Sequence, residues 1–118
     1  MPKDEKNSAF QTSNFPKDNR LHGRNAIRKV IFTGRKITGN IIEIRYIDCE
    51  STRFAISVPK KFGKAVARNR IKRIIREFLR HNKDNWPENN WIIIRMLGKT
   101  ENESLIIEEL RKLLSQIR

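Results

Sequence analysis

The sequence predicts a single domain of mixed α/β class, with its elements in the order α-β-β-α-β-α. Apolar residues recur at helical spacing in three segments, and they alternate with other residues in two shorter segments. A further segment, residues 91–97, is led by an aromatic residue and rich in β-branched residues, as strands commonly are. Because a chain of 118 residues has room for only one hydrophobic core, these elements are expected to pack together.

The first helix is predicted from Ile27, Val30 and Ile31, which share one helical face. Asn25 is a candidate N-cap, and Gly34 suits the position just past the end of the helix.

Two alternating segments follow, separated by the polar stretch 48–52, and they predict an antiparallel hairpin. The apolar positions share one face: Ile42, Ile44, Tyr46, Phe54, Ile56 and Val58. The more polar face carries Glu43, Arg45, Ala55 and Ser57. We therefore expect one face of the hairpin to be buried and the other to be accessible.

The last two elements are a strand over residues 91–97 and a C-terminal helix, separated from the preceding basic segment by the Asn- and Pro-containing residues 83–90. Thr100 and Glu103 have the spacing of a capping box. The apolar stripe of the last helix is Ile106, Leu110, Leu113, Leu114 and Ile117.

Residues 1–19 are mostly polar or charged and predict a flexible N-terminal arm, whereas residues 20–118 form the predicted domain. Cys49 is the single cysteine, and with His22 and His81 it has no zinc-ligand spacing, so we predict no metal site. The sequence shows no signal peptide and no apolar run of bilayer length. We expect a cytoplasmic protein with no membrane association and no obligate protein partner.

The charge balance indicates a polyanionic partner. The chain has 26 Lys and Arg against 13 Asp and Glu, a formal net charge of +13. Nucleic acid is the first choice for such a partner and an anionic membrane the second.

The positive charge is concentrated in residues 60–81, where nine of 22 residues are Lys or Arg. Winding residues 65–81 at about 100° per residue groups the apolar side chains on one arc. That arc holds Ala67, Ile71, Ile74, Ile75 and Phe78. The opposite arc holds Asn69, Lys72, Arg73, Arg76 and Arg80, with Arg68 and Arg70 at its two boundaries. The pattern predicts a helix that buries its apolar stripe and presents a continuous cationic ridge.

Such a ridge matches a phosphate backbone, because like charges three or four residues apart repel one another unless anions neutralise them. Lys60, Lys61 and Lys64 extend the same charge ahead of the helix. Gly63 between them exposes amides to a phosphate, allows a strand-to-helix turn, or does both. Asn69 either contacts RNA or bonds the local backbone.

The run from Ser57 to Glu77 resembles the signature of the bacterial ribonuclease P protein component. It contains a Lys-Lys-x-Gly-x-Ala-Val stretch over residues 60–66, followed by Arg68-Asn69-Arg70. The likeness extends over roughly residues 20–118, including Arg20-Leu21 and Gly34.

The resemblance implies a two-layer α/β sandwich with a left-handed β-α-β crossover. It also implies a protein without catalytic residues of its own, because a catalytic RNA subunit carries Mg²⁺-dependent removal of the 5′ leader from precursor tRNA. The protein binds that RNA and holds the leader in a cleft. The positions matching the leader-binding cleft are Ile27, Ile31, Arg45 and Ser57. The family usually has aromatic residues where this chain has Ile27 and Ile31.

Three other functions compete with this interpretation. A protein-only nuclease would need clustered carboxylates, but the acidic residues are scattered along the sequence. A ribosomal or other structural RNA-binding protein fits the composition equally well and is disfavoured only by the signature at 57–77. A membrane-surface helix would need the apolar stripe that the strands require for their core.

Overall fold

The computed structural model describes residues 19–100 and 102–117, which contain three α-helices and a four-stranded sheet. The helices are α1 (Arg24–Thr33), α2 (Ala65–His81) and α3 (Glu103–Leu114). The strands are β1 (Arg35–Thr38), β2 (Ile42–Asp48), β3 (Arg53–Ser57) and β4 (Asn90–Met96). The predicted order lacked β1, whose four residues are too few and too exposed to give a clear alternation. Residues 1–18 of the predicted arm lie outside the described residues.

The predicted pairing of the sheet is wrong, although the predicted strands exist. The strand order is β1-β2-β4-β3, so β4 lies between the two strands that were expected to form a hairpin. Instead β2 pairs antiparallel with both β1 and β4, and β3 runs parallel to β4. Alternation identifies the buried face of a strand but not its neighbour, which long-range packing decides.

The connection from β3 through α2 to β4 is the β-α-β unit that the resemblance implies. The left-handed sense of this crossover stays a prediction.

The main core lies between one face of the sheet and the helices α2 and α3. All six apolar positions predicted for the buried face of the two strands are in it, as are all five residues of the predicted stripe in the last helix. Helix α1 packs on the opposite face, where Val30 is buried with Leu21, Ala55 and Ile93. Because α1 is only ten residues long, it covers only part of this second face.

The helix ends differ from their sequence signals. Gly23, with φ 97°, precedes α1 in place of the predicted Asn25, and Asn102 caps α3 in place of Thr100. The Asn102 side chain accepts a hydrogen bond from the Leu105 amide at 3.1 Å. Gly34 does follow α1, but its backbone is extended. Glycine is required there because a Cβ would collide with the carbonyl oxygens of Val30 and Tyr46.

Among the described residues, no helix has both the length and the apolar character that crossing a bilayer would require.

Candidate nucleic-acid interface

Helix α2 and the turn before it carry an exposed cluster of cations. The segment begins with a short 3₁₀ helix at Lys60–Phe62, and α2 follows with the predicted bounds of residues 65–81. The exposed cations, which we call the basic surface, are Lys60, Lys61, Lys64, Arg70, Arg73 and Arg80. Asn69 is exposed beside them. The exposed cations and the core residues lie on different faces because α2 is amphipathic: Ile71, Ile75 and Phe78 are buried in the core.

The predicted continuous ridge is wrong at Lys72, which is only 3% exposed. Leu79 is fully buried and lies at nearly the same angle around the helix as Lys72, two turns further along. The core-facing arc is therefore centred near Ile75 and includes the stem of Lys72. The stripe predicted from sequence omitted Leu79 and was therefore rotated away from Lys72.

Lys72 belongs to a row of cations spaced four residues apart, with Arg68 before it and Arg76 after it. Burial, followed by repulsion from Arg68 and Arg76, lowers the pKa of Lys72 from its ordinary value of 10.5. Burial, followed by repulsion from Arg73, also lowers the pKa of Arg76, whose Nε is buried without a hydrogen-bond partner. At Lys72 and Arg76, burial and the neighbouring cations thus both disfavour the charged form.

The turn before α2 depends on Gly63. Its φ of 129° and ψ of −171° lie in a region reserved for glycine, and its amide donates to the Lys60 carbonyl at 3.2 Å. The Gly63 carbonyl accepts from Arg68 Nε at 3.1 Å, which holds this arginine against the turn. Of the two interpretations of Gly63, the geometry supports the turn.

The acidic residues have structural contacts in separate places. Glu77 Oε1 accepts from Arg80 Nη2 at 2.6 Å. Glu109 Oε2 accepts from the amides of Ile41 and Ile42. Within the described ranges, no three His, Cys, Asp or Glu side chains form a group able to hold a metal ion.

A cleft of about 320 Å³ lies on the sheet face that α1 covers only partly. It is lined by Ile31 of α1, by sheet residues and by the residue that leads toward α2: Ile31, Arg45, Ser57, Pro59, Ile93 and Arg95. The cleft thus combines the aliphatic side chains of Ile31 and Ile93 with the guanidinium groups of Arg45 and Arg95. This composition suits a ligand that carries both negative charges and apolar groups.

Arg45 is held in position from two sides. Its Nη1 donates to the Ile31 carbonyl at 3.0 Å, and its Nη2 lies 3.1 Å from Oε2 of Glu43. Glu43 is 5% exposed, so its carboxylate is largely shielded from water, whereas the Arg45 side chain is 29% exposed. Arg45 therefore links α1 to β2 at the wall of the cleft.

The structure brings together three of the four residues predicted for the cleft. Ile31, Arg45 and Ser57 line it, whereas Ile27 is half-buried against the core beneath α1. Ser57, predicted on an accessible face, is 7% exposed because it lies deep in the cleft wall.

The sequence interpretation missed Ile93 and Arg95 as cleft residues. Both lie on the α1-facing side of β4, and Arg45 pairs with Ile93 in the β2–β4 register. Alternation along 91–97 could identify their shared face, but only the central position of β4 places that face in the cleft.

Comparison with known proteins finds relatives of one family over most of the chain. A family model described as Ribonuclease P matches residues 15–118. The ribonuclease P protein component of Desulforapulum autotrophicum is 38% identical over 112 residues, covering 87% of this chain and 92% of that protein. The one from Syntrophus aciditrophicus is 47% identical, but the match covers only 47% of this chain and 46% of that relative.

Solved structures agree with these sequence relatives. The RNase P protein from Thermotoga maritima has a TM-score of 0.77 at 27% identity, covering 84% of this chain and 97% of its own. The Staphylococcus aureus RNase P protein shares the fold, with a TM-score of 0.74 at 24% identity over 82% of this chain and 93% of that one. Since the family model spans most of the sequence and a 38% identical relative aligns over nearly its whole length, the chain belongs to the ribonuclease P protein component family.

Proposed function

We propose that this chain is the subunit that binds the catalytic RNA of ribonuclease P through the basic surface and holds the 5′ leader of precursor tRNA in the cleft. The observation that carries the proposal is the continuity of the two sites. Ser57 and Pro59 line the cleft, and Lys60 and Lys61 of the basic surface follow directly in the chain. An RNA assembly that spans both sites would keep its phosphates near cations throughout.

The cleft fits a single strand better than a duplex. Its volume of about 320 Å³ is at the lower end of the roughly 300–1,000 Å³ typical of small-ligand sites. Arg45 and Arg95 supply charge for phosphates, and Ile31 and Ile93 supply apolar contact for bases. Because aliphatic contact is weaker than aromatic stacking, the arginines are expected to provide most of the leader affinity.

We place the catalytic groups and the Mg²⁺ ions in the RNA subunit rather than in this chain. The support is that three carboxylates, those of Glu43, Glu77 and Glu109, are occupied by Arg45, by Arg80 and by backbone amides in separate parts of the fold. The protein then contributes binding and orientation, and it lowers the Mg²⁺ concentration that the RNA needs by neutralising phosphates. We place the complex in the cytoplasm, together with the precursor tRNAs it acts on.

Reconstitution tests the proposal directly. Precursor tRNA cleavage at low Mg²⁺ is measured with the RNA subunit alone, with this protein alone and with both. Enhanced cleavage in the mixture only is the expected result. Cleavage by the protein alone would assign the chemistry to this chain, and an unchanged RNA-alone rate would contradict the subunit role.

A further inference from the structure

A second pocket, of about 360 Å³, lies on the side of the molecule opposite the cleft. It is formed where the C-terminal end of α2 meets the end of α3, and it is lined by Phe78, Trp86 and Leu114 together with Asn82, Asn85, Arg111 and Ser115. Phe78 and Leu114 belong to the core between the sheet and α2–α3, whereas the cleft residue Ile93 belongs to the core under α1. A strand held in the cleft is therefore separated from this pocket by the sheet.

The aromatic wall of the pocket is rigidly placed. Trp86 Nε1 donates to the Leu79 carbonyl at 2.8 Å, and the Trp86 ring meets Phe54 edge-on at a centroid distance of 4.9 Å. Two cations lie near these rings: the Arg111 guanidinium is 5.5 Å from the centre of Phe78, and Lys83 Nζ is 5.8 Å from the centre of Trp86. Aromatic faces with adjacent cations can hold a base and its phosphate at once.

The polar wall supplies groups that can bond a base edge. Asn82 Nδ2 donates to the Phe78 carbonyl at 2.8 Å, which fixes the amide plane at the pocket wall. Asn85 contributes a second, exposed amide. Side-chain amides carry both donors and acceptors, as the edges of nucleobases do, so they can recognise an unpaired base by hydrogen bonding.

We propose that this pocket binds an unpaired nucleotide of the catalytic RNA, with its base against Trp86 and Leu114 and its phosphate at Arg111. The inference rests on the proposed function, since it takes the RNA subunit as the ligand. Two observations favour that occupant over an apolar peptide: the cations beside both rings, and the position of the pocket at the end of the helix that carries the basic surface. The RNA would then contact both the exposed side of α2 and its C-terminal end.

The two tryptophans allow a site-specific test. Trp91→Phe leaves Trp86 as the single tryptophan and so as a reporter of the pocket, whereas Trp86→Phe leaves Trp91 as a reporter of the α1 side. The full-length Trp91→Phe protein is titrated with the catalytic RNA. We expect the Trp86 fluorescence to change on saturation, and accessibility of Trp86 to the neutral quencher acrylamide to fall by at least about twofold, because a stacked base shields the ring.

Arg111→Ala, made in the Trp91→Phe background, is compared with Lys112→Ala, which removes an equal charge from the neighbouring exposed position of α3. Arg111→Ala is expected to abolish the protection of Trp86 and to weaken RNA binding about fivefold more than Lys112→Ala does.

Equal effects of the two variants, or RNA binding without any change at Trp86, would overturn the assignment of a nucleotide to this pocket while leaving the proposed function standing. Failure of the unsubstituted protein to bind the RNA would instead overturn the proposed function. A Trp86 signal that depends on protein concentration in the absence of RNA would assign the pocket to a second copy of the chain and also overturn the proposal.

Discussion

Lys72 is a charged residue that the fold buries beside two other cations. Replacing it with methionine keeps the long unbranched stem and removes the ammonium group. We expect Lys72→Met to raise the free energy of unfolding by up to about 1 kcal/mol near neutral pH, because burying a charge costs free energy. Urea denaturation of both proteins measures the difference. Affinity for the catalytic RNA should fall less than in Arg73→Ala, because Arg73 is exposed and Lys72 is not.

The stability difference between wild type and Lys72→Met should also depend on pH. The pKa of Lys72 is lowered in the folded protein, so the unfolded chain binds the proton more tightly. Below the pKa that Lys72 has in the folded protein, the wild type carries the full free-energy cost of its buried charge. This cost disappears as the pH rises through that pKa toward the ordinary value of 10.5. The free energies of unfolding of the two proteins, measured by denaturation at several pH values, should therefore converge as the pH rises. A difference that is the same at every pH would show that Lys72 acts through packing alone.

Ile31 is the aliphatic residue of α1 that lines the cleft. Ile31→Phe introduces a ring where a leader base would lie, and stacking contributes about 1–3 kcal/mol per base. We expect the reconstituted enzyme to bind precursor tRNA about fivefold more tightly, with no change for mature tRNA, which lacks the leader. Ile27→Phe is the matched control, because Ile27 lies one turn earlier on the same helix and outside the cleft. If both variants bind precursor tRNA more tightly, the result would argue against a base contact at position 31.

At the scale of elements, one carboxylate joins α3 to the start of the sheet. Glu109 Oε2 accepts from the Ile41 amide at 2.6 Å and from the Ile42 amide at 2.8 Å. A Cβ at Gly39 would collide with the Glu109 side chain, so a larger residue there would push the carboxylate away from the two amides. The interaction fixes α3 against the β1–β2 turn and so completes one wall of the main core.

Glu109→Ala should therefore lower the free energy of unfolding by about 2 kcal/mol, since hydrogen bonds to a charged acceptor are worth roughly 1.5–3 kcal/mol and two amides lose their partner. Glu108→Ala provides the control, because Glu108 is exposed on the same helix and its removal should change stability by less than about 0.5 kcal/mol. Chemical denaturation measures both. Similar losses in the two variants would indicate a general effect on α3 rather than the loss of this junction.

At the scale of the whole molecule, much of the net charge of +13 comes from residues 60–81, which hold nine Lys or Arg and a single acidic residue, Glu77. If the six exposed cations of the basic surface each contact one phosphate, the affinity for the catalytic RNA should fall with salt at a log–log slope of about −4 to −5. Arg73→Ala should reduce that slope by nearly one and leave folding intact. Lys36→Ala, on β1 at the sheet edge remote from β3, should leave the slope unchanged. A flat salt response in the unsubstituted protein would contradict binding through this surface.

Much of the local structure could be predicted from the sequence. The bounds of α2, the buried face of β2 and β3 and the apolar stripe of α3 all followed from periodicity, because a repeating pattern records which side of an element meets the core. Three of the six residues that line the cleft, Ile31, Arg45 and Ser57, were named from family resemblance, which supplied a spatial relation that periodicity does not contain.

The sequence by itself determined the three helices, the strands β2, β3 and β4, the core-facing residues of β2, β3 and α3, and the concentration of charge at residues 60–81, because each of these is set by neighbours in the chain. Only the tertiary structure decided that β4 separates β2 from β3, that Lys72 is buried, and that Ile93 and Arg95 line the cleft. These depend on contacts between residues far apart in sequence. Strand order is chosen by how well whole surfaces fit together, and a helix rotates on the sheet until its largest apolar area is covered, even when that buries part of a lysine.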